Sequence, residues 1–183
     1  EVAVNPQAIP DRVIPGATVW NPFTDLMLPD LKVNLDKANI EKLLSRSGIE
    51  NNSTVIVYGE LAAVGGWIFW LLKMFGHHDV RVLDGGRNKW NSEQRPLASV
   101  KTVAIPTQYN ALEPNTNFRI LYEDVQNSIN QPYSAILDVR TPQEYSGEWF
   151  YDKPPEKGER AGNIPGAVHI HYDSALNEDG TLK

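Results

Sequence analysis

Cysteine is missing from the 183 residues of this chain, and methionine occurs only twice. Without cysteine the chain can form no disulfide bond and offers no thiol chemistry. Any reaction that needs a thiol must therefore take it from outside this sequence. Because cysteine is absent, the sequence does not indicate whether the protein works in a reducing or an oxidising compartment. We expect a cytoplasmic protein, with the periplasm as the alternative.

Basic runs and membrane-length apolar segments are missing as well. The formal net charge is -6 and the sequence pI is near 5.2, which argues against a surface for nucleic acid or anionic membranes. The longest apolar run, residues 61–75, contains Lys73 and is shorter than the ~20 residues that cross a bilayer. We predict a buried helix there, no nucleic-acid partner and no membrane partner. No motif predicts a cofactor or a metal.

The composition that remains, 41% hydrophobic and 22% charged residues, is typical of a globular protein. The phrase Ile-Pro-Gly-Ala occurs at residues 14–17 and again at residues 164–167. An offset of 150 residues matches the size of a domain and exceeds that of a short structural repeat. The repetition therefore predicts two related domains.

Residues 55–83 have the pattern of a strand, a helix and a second strand. Residues 55–58 and 80–83 are short, mostly apolar runs, and residues 62–75 are apolar on nearly every helical face. Such a unit predicts a parallel sheet with a right-handed crossover, and thus an α/β fold. Ligands of these sheets bind at the carboxyl ends of the strands, here at residues 59–63. Because Glu60 puts a negative charge there and no nucleophile is present, we favour a structural role for this loop.

The residues before this unit are less regular. Residues 1–13 lack periodicity and predict a loop, whereas residues 17–20 predict a short strand. Asp36 is suited to begin an amphipathic helix that Gly48 ends. The unit at residues 1–97 therefore combines helices with short strands.

Periodicity is lost again between residues 91 and 117, a stretch that contains three prolines. This profile predicts a linker at residues 98–117 between a first domain, residues 1–97, and a second one that begins at residue 118 and extends to residue 183.

The second domain repeats the alternation of helices and strands. Residues 122–130 predict a helix, and residues 134–137 and 168–172 predict strands. Thr141 is placed to cap a helix, with proline at the first helical position and Glu144 three residues after the cap.

Two groups of motifs resemble the rhodanese domain. LDVRTPQEY at residues 137–145, followed by GNIPGA at residues 162–167, is similar to its opening signature. VIVYG at residues 55–59, WLLKMFGH at residues 70–77 and VRVLDGG at residues 80–86 are similar to its closing two thirds. The order of these motifs, and NEDGT at residues 177–181, most resemble tandem-domain thiosulfate and 3-mercaptopyruvate sulfurtransferases. The resemblance implies three-layer domains with parallel sheets, in two copies, the first catalytically silent.

The same resemblance implies a reaction. A cysteine in the strand-to-helix loop would carry sulfane sulfur as a persulfide and pass it to cyanide or a thiol, with backbone amides and a helix N-terminus holding the anion. Gly59 occupies this cysteine's position in the first domain, so that domain is expected to be inert. Arg140 is the candidate substrate-binding residue, although a structural pairing with Asp138 or Glu144 is the favoured alternative. Glu144 stands where some relatives carry an anion-binding arginine, which puts that mode of binding in doubt.

Both domains are expected to be incomplete. The interval of 41 residues between Ile14 and Val55 exceeds the 19 residues that follow Ile164, so the expected cysteine lies beyond Lys183. By the same measure the first domain lacks its first strand, which would precede Glu1, a start that is itself expected to be processed, trimmed or fragmentary. The open explanations are a cleaved chain with associated pieces, a shortened polypeptide, a partly determined chain, or exchange of the strand at residues 134–140.

The expected partners are a small sulfur-containing anion and a second fragment of the same polypeptide. Two other functions stay open: a catalytically dead rhodanese-like binding or regulatory module, and a phosphatase relative with a catalytic loop one residue longer. His169 and His171 share a strand face, but without a third ligand we favour no metal site. His77 follows a helix end, where it suits the helix dipole or a turn.

Overall fold

In the computed structural model, the repeated phrase Ile-Pro-Gly-Ala folds into the same turn in both places. The alanine N–H donates to the isoleucine carbonyl at 3.0 Å in the first copy and at 2.9 Å in the second. The φ angles of Gly16 and Gly166 are 83° and 79°. Proline followed by a glycine with positive φ is the pattern of a type II turn. The repetition in the sequence is thus a repetition in the backbone.

The structure describes residues 1–3, 10–99 and 104–183. Parts of the predicted N-terminal loop and of the predicted linker lie outside these ranges. The chain divides into a first unit, Glu1–Phe118 with Glu178–Leu182, and a second unit, Arg119–Asn177 with Lys183.

The elements of the first unit are β1 Arg12–Val13, α1 Pro22–Asp25, α2 Lys37–Arg46, β2 Val55–Val57, α3 Ala62–Met74, β3 Val80–Val82, α4 Gly86–Ser92, β4 Ala98–Ser99 and a 3-10 turn at Thr116–Phe118. Those of the second unit are α5 Tyr122–Ser128, β5 Leu137–Asp138, α6 Pro142–Ser146, β6 Val168–His169 and a 3-10 turn at Tyr172–Ala175. The α/β class predicted from the sequence is confirmed, with shorter strands than expected.

The βαβ unit is present as predicted. β2 and β3 are parallel, with Val55 opposite Val80 and Val57 opposite Val82. The apolar run forms α3, which packs on both strands and on α2. α2 begins at the predicted cap, where the Asp36 carboxylate accepts from the Ala38 N–H at 2.8 Å. Hydrophobic residues of both helices and both strands share one core.

Two adjacent glycines of α3 have opposite surroundings. A Cβ atom at Gly65 would lie 3.0 Å from the Val57 carbonyl oxygen and 3.0 Å from Val82 Cγ1, whereas a Cβ atom at Gly66 would meet nothing within 4 Å. Of these two glycines, only Gly65 lies where the helix approaches the sheet closely.

This contrast gives a matched pair of substitutions. We expect Gly66→Ala to stabilise the first unit by about 0.5–1 kcal/mol, because alanine has the higher helix propensity. We expect Gly65→Ala to destabilise it by about 1 kcal/mol or more, because the added methyl group presses on the sheet backbone. Urea denaturation of both variants measures the effect, and shifts of the same sign would contradict the close approach.

Residues Glu1–Ala3 lie where the first strand was predicted to be missing. The Val2 N–H donates to the Tyr58 carbonyl at 2.9 Å, and the Ala3 N–H donates to the Trp20 carbonyl at 3.0 Å. Val2 and Trp20 form a parallel bridge. The predicted strand at residues 17–20 is reduced to this bridge. Val2 thus pairs at the carboxyl end of β2.

The Glu1 side chain is buried in a polar cluster at this edge. Its carboxylate accepts from the Tyr58 hydroxyl at 2.9 Å and pairs with the Arg87 guanidinium. The Tyr58 hydroxyl also accepts from the Ile14 N–H at 3.1 Å. Burial raises the pKa of Tyr58, so its hydroxyl stays protonated and able to donate.

Residues 104–118 pack on the first unit instead of bridging solvent as a free linker. The Thr107 N–H donates to the Ser45 carbonyl at 2.9 Å, and the Leu112 N–H donates to the Phe75 carbonyl at 3.1 Å. Tyr109 and Ala111 are buried in the core. The many prolines and lost periodicity of this stretch hid its packing, because it pairs through single backbone contacts and not through a regular element.

The buried His77 side chain links this segment to the loop before β2. Its side chain is 2% exposed, and its two ring nitrogens lie 2.8 Å from the Tyr109 hydroxyl and 3.0 Å from the Ser53 carbonyl oxygen. Since a carbonyl only accepts, Nε2 carries the proton and Nδ1 accepts from Tyr109. The helix-end role expected from the sequence is therefore replaced by a buried bridge.

A pH dependence of stability follows from this burial, which lowers the pKa of His77 below its ordinary value of 6.5. The unfolded chain takes up a proton near pH 6.5 and the folded one resists it, so this stability is complete above pH 6.5 and falls as the pH drops below it. We expect a smaller free energy of unfolding at pH 5.5 than at pH 7.5, and a smaller difference in His77→Gln. Exposed His78 is the control: His78→Gln should keep the wild-type difference. Urea denaturation at both pH values measures it, and equal pH responses of wild type and His77→Gln would contradict it.

The second unit contains one parallel pair of strands. β5 and β6 align Leu137 with Val168 and Asp138 with His169. The predicted helix at residues 122–130 is present as α5, and the predicted strands are reduced to two residues each. The two apolar side chains of this pair, Leu137 and Val168, are each more than half exposed.

No helix in the described part of the chain combines the length and the hydrophobicity that crossing a membrane requires.

Candidate functional site

The loop at residues 59–61 joins the carboxyl end of β2 to the start of α3. Gly59 is buried there. A Cβ atom on it would lie 2.6 Å from Val64 Cγ1 and 3.3 Å from the Val2 carbonyl oxygen. Valine has little rotamer freedom in a helix, so Val64 cannot easily move aside. The position therefore has no room for a side chain.

The carbonyl groups of this loop are bound by the first turn of α4. The Arg87 N–H donates to the Gly59 carbonyl at 2.8 Å, and the Asn88 N–H donates to the Glu60 carbonyl at 3.2 Å. Gly86 allows this approach, because a Cβ atom there would lie 2.8 Å from the Gly59 carbonyl oxygen. Two amides of α4 at this edge thus bind the loop carbonyls, and the geometry supports a structural role.

Arg140 lies just after β5, at the carboxyl end of the parallel pair of the second unit. Its Nε is 3.0 Å from Asp138 Oδ1, and its Nη2 donates to Asp138 Oδ2 at 2.6 Å and to the Gly162 carbonyl at 2.9 Å. These hydrogen bonds hold the pKa of the Asp138 carboxyl below its usual range. The Arg140 side chain nevertheless remains 43% exposed, so it is oriented by Asp138 without being enclosed.

The turn after Arg140 is the predicted helix start. Thr141 accepts from the Glu144 N–H, and the Glu144 carboxylate accepts from the Thr141 N–H at 3.1 Å and from its hydroxyl at 2.8 Å. This reciprocal arrangement is a capping box, with proline at the first helical position. Glu144 therefore caps α6, and the hydrogen-bonded ion pair of Arg140 is the one with Asp138.

A cavity of about 540 Å³ lies beside Arg140. Its polar lining includes Asp138, Arg140, Arg160 and Asn163, and apolar residues of β5 and of the second Ile-Pro-Gly-Ala turn complete it. The sequence singled out Arg140 but not Arg160, which it left within a polar loop. The position of Arg160, two residues before the GNIPGA motif, was the available signal.

The two histidines of the second unit contact other groups of the same unit. His169 Nε2 is 2.9 Å from the Arg140 carbonyl oxygen, and its ring stacks on Tyr145 with centroids 4.5 Å apart. His171 Nδ1 is 3.6 Å from the Asp173 carboxylate. Within the described ranges, no cluster of three or more potential metal ligands is present.

Comparison with known proteins decides the family. The model of the rhodanese-like domain matches residues 6–93 and 121–183, one segment in each unit and together more than half of the chain. This chain belongs to the rhodanese family. The family resemblance inferred from the sequence motifs is confirmed.

Two curated relatives are similar to this rhodanese chain. It is 39% identical over 173 residues to a protein of Mycolicibacterium smegmatis named "Putative thiosulfate sulfurtransferase". It is 38% identical over 176 residues to the "Sulfur carrier protein TtuD" of Thermus thermophilus. Each alignment covers 93% of this chain and 62% of the relative. The chain thus spans less than two thirds of the proteins that it matches.

Solved structures support the rhodanese fold at lower identity. The anaerobic ergothioneine biosynthesis enzyme of Chlorobium limicola, in complex with trimethyl histidine, has a TM-score of 0.78 and 24% identity. That match covers all of this chain and 48% of the enzyme. YnjE matches with a TM-score of 0.70 and 21% identity. These likenesses concern the fold.

Proposed function

We propose that this chain is part of a sulfurtransferase that moves sulfane sulfur from thiosulfate or 3-mercaptopyruvate to cyanide or a thiol acceptor through a cysteine persulfide. The observation that carries the proposal is the rhodanese match in both units, together with relatives at 38–39% identity named for sulfur transfer or carriage. The domains proposed are residues 1–97 and 118–183, joined by residues 98–117.

The proposed reaction with thiosulfate has two displacement steps. A cysteine thiolate attacks the outer sulfur of thiosulfate, a sulfur–sulfur bond forms to cysteine, and the original sulfur–sulfur bond breaks as sulfite leaves with the electron pair. Cyanide then attacks the outer sulfur of the persulfide, thiocyanate forms, and the thiolate is restored. Neither step consumes an external oxidant or reductant.

This chain supplies scaffold and anion binding to that reaction. It has no cysteine, so the nucleophile belongs to polypeptide other than these 183 residues. In the first unit the equivalent position is Gly59, which packs against Val64. In the second unit we assign substrate binding to Arg140, whose guanidinium Asp138 orients at the edge of a cavity.

The test is a cyanide-dependent thiocyanate assay on material whose intact mass is known. The 183-residue chain alone should form no thiocyanate above the uncatalysed rate, whereas a preparation that also contains the cysteine-bearing remainder of the protein should form it. Thiocyanate from the chain alone, or none from the complete protein with either donor, would contradict the proposal.

The alternative is a catalytically silent rhodanese-like module that binds or regulates. The observation in its favour is that the cysteine position of the first unit is closed to any side chain. The residue in the catalytic loop of the complete second domain distinguishes the two functions, because only the enzyme needs cysteine there. Detection of a persulfide on that residue by mass spectrometry after exposure to thiosulfate would exclude the silent module.

A further inference from the structure

The cavity beside Arg140 is large enough for a small anion. Its volume of about 540 Å³ is many times the ~30 Å³ that one water molecule occupies in the liquid. Arg140 and Arg160 line it together with Asn163, whose side-chain amide donates to the Tyr145 carbonyl at 3.1 Å. Arg160, in the loop before the second Ile-Pro-Gly-Ala turn, and Arg140, after β5, thus line one cavity from two segments of the second unit.

The charges of this cavity do not cancel. Asp138 is the acidic residue of its lining, and its carboxylate is only 9% exposed and already pairs with Arg140. Glu144 is not part of the lining, although its charge acts on Arg140 from outside the cavity. Among the lining residues, the charge of Arg160 is the one that no carboxylate balances, so the lining favours an anion.

Both guanidinium groups have donors to offer. Arg140 uses Nε and Nη2 for Asp138 and Gly162, and its Nη1 takes part in none of these bonds. The side chain of Arg160 is exposed and makes no ion pair or side-chain hydrogen bond with any residue in the described ranges. Because Arg140 is already oriented, little freedom is lost there when a ligand binds. Guanidinium groups are suited to oxyanions, which accept two parallel N–H bonds.

We propose that Arg160 is a second anion-binding residue of this cavity, which with Arg140 holds a small sulfur oxyanion such as thiosulfate. The choice of thiosulfate as the ligand rests on the proposed function. The choice of Arg160 rests on the lining of the cavity. Arg140 provides an oriented donor, and Arg160 provides the net positive charge.

The absence of cysteine makes the test direct, because binding can be measured without turnover. Sodium thiosulfate is titrated into the 183-residue chain at pH 7.5 and constant ionic strength, and heat is recorded by calorimetry. Arg160→Gln should weaken thiosulfate binding about tenfold, as expected for the loss of hydrogen bonds to a charged group. Arg160→Lys, which keeps the charge but not the planar fork, should bind with an affinity between those of the wild type and Arg160→Gln.

The matched control is Lys157→Gln, which removes the same charge from the same loop outside the cavity lining. It should change the affinity less than twofold. Equal losses in Arg160→Gln and Lys157→Gln, or no saturable binding by the wild type, would overturn the inference. Circular-dichroism melting of each variant verifies the fold, and Arg160→Lys carries the test should Arg160→Gln unfold.

A failure of this inference is distinguishable from a failure of the proposed function. In the complete, cysteine-bearing protein, thiocyanate formation with an unchanged KM for thiosulfate in Arg160→Gln would overturn the role of Arg160 and leave the sulfurtransferase intact. Absence of thiocyanate from the unsubstituted complete protein would instead overturn the sulfurtransferase itself.

Discussion

Leu72→Ala is expected to lower the free energy of unfolding of the first unit by about 3 kcal/mol, within the range of about 2–5 kcal/mol for buried leucines. Leu72 lies in α3 and is fully buried, with 0% of its surface exposed. Its removal leaves a void among α2, α3 and the parallel strands, which share one core. Alanine is the better helix former, so the loss reports packing alone.

The same substitution at Leu61 is the control for this prediction. Leu61 precedes α3 directly and is 46% exposed, so Leu61→Ala should cost less than about 1 kcal/mol. Urea denaturation followed by tryptophan fluorescence measures both variants, since four of the five tryptophans lie in the first unit. Similar losses in the two variants would show that α3 does not pack as described.

Gly59→Cys is expected to place a thiol at the proposed counterpart of the family's catalytic position without creating activity. The new Cβ atom would lie 2.6 Å from Val64 Cγ1, and overpacking of this kind costs about 1–3 kcal/mol. Burial raises the pKa of a thiol, and the first amides of α4 are occupied by the loop carbonyls. The thiol therefore lacks the room to hold a persulfide anion.

Gly66→Cys is the matched control, because a Cβ atom there meets nothing within 4 Å. It should be neutral or slightly stabilising, since cysteine has a higher helix propensity than glycine. Stability is measured by urea denaturation, and activity by thiocyanate formation from thiosulfate and cyanide. More thiocyanate from Gly59→Cys than from Gly66→Cys would show that the first unit retains a working cradle.

The sequence predicts the elements whose signals are local. The apolar run at residues 61–75 becomes α3 because a helix that is hydrophobic on every face has to be buried. Asp36 and Thr141 cap their helices as expected, since capping depends on residues within one turn. The strands were predicted to be longer than they are. β-propensity identifies apolar residues, whereas strand pairing depends on the neighbouring strand.

What the sequence did not reveal depends on distant contacts. His77 resembles any histidine after a helix, and only Ser53 and Tyr109, 24 and 32 residues away, make it a buried bridge. The backbone pairing of Val2 and Ala3 with Tyr58 and Trp20 likewise joins residues that are distant in the sequence, and no local pattern predicts it. Arg160 became a candidate only when folding brought it to the cavity beside Arg140.

The packing of residues 104–118 has a practical consequence for anyone who wishes to produce the first unit by itself. A gene fragment that stops at residue 97, where composition suggests a natural cut, would strip Tyr109 and Ala111 from the interior and leave the His77 ring without its hydroxyl partner. Such a product would present freshly uncovered hydrophobic surface and would tend to precipitate. A fragment that continues through Phe118 keeps the residues that cover its hydrophobic core.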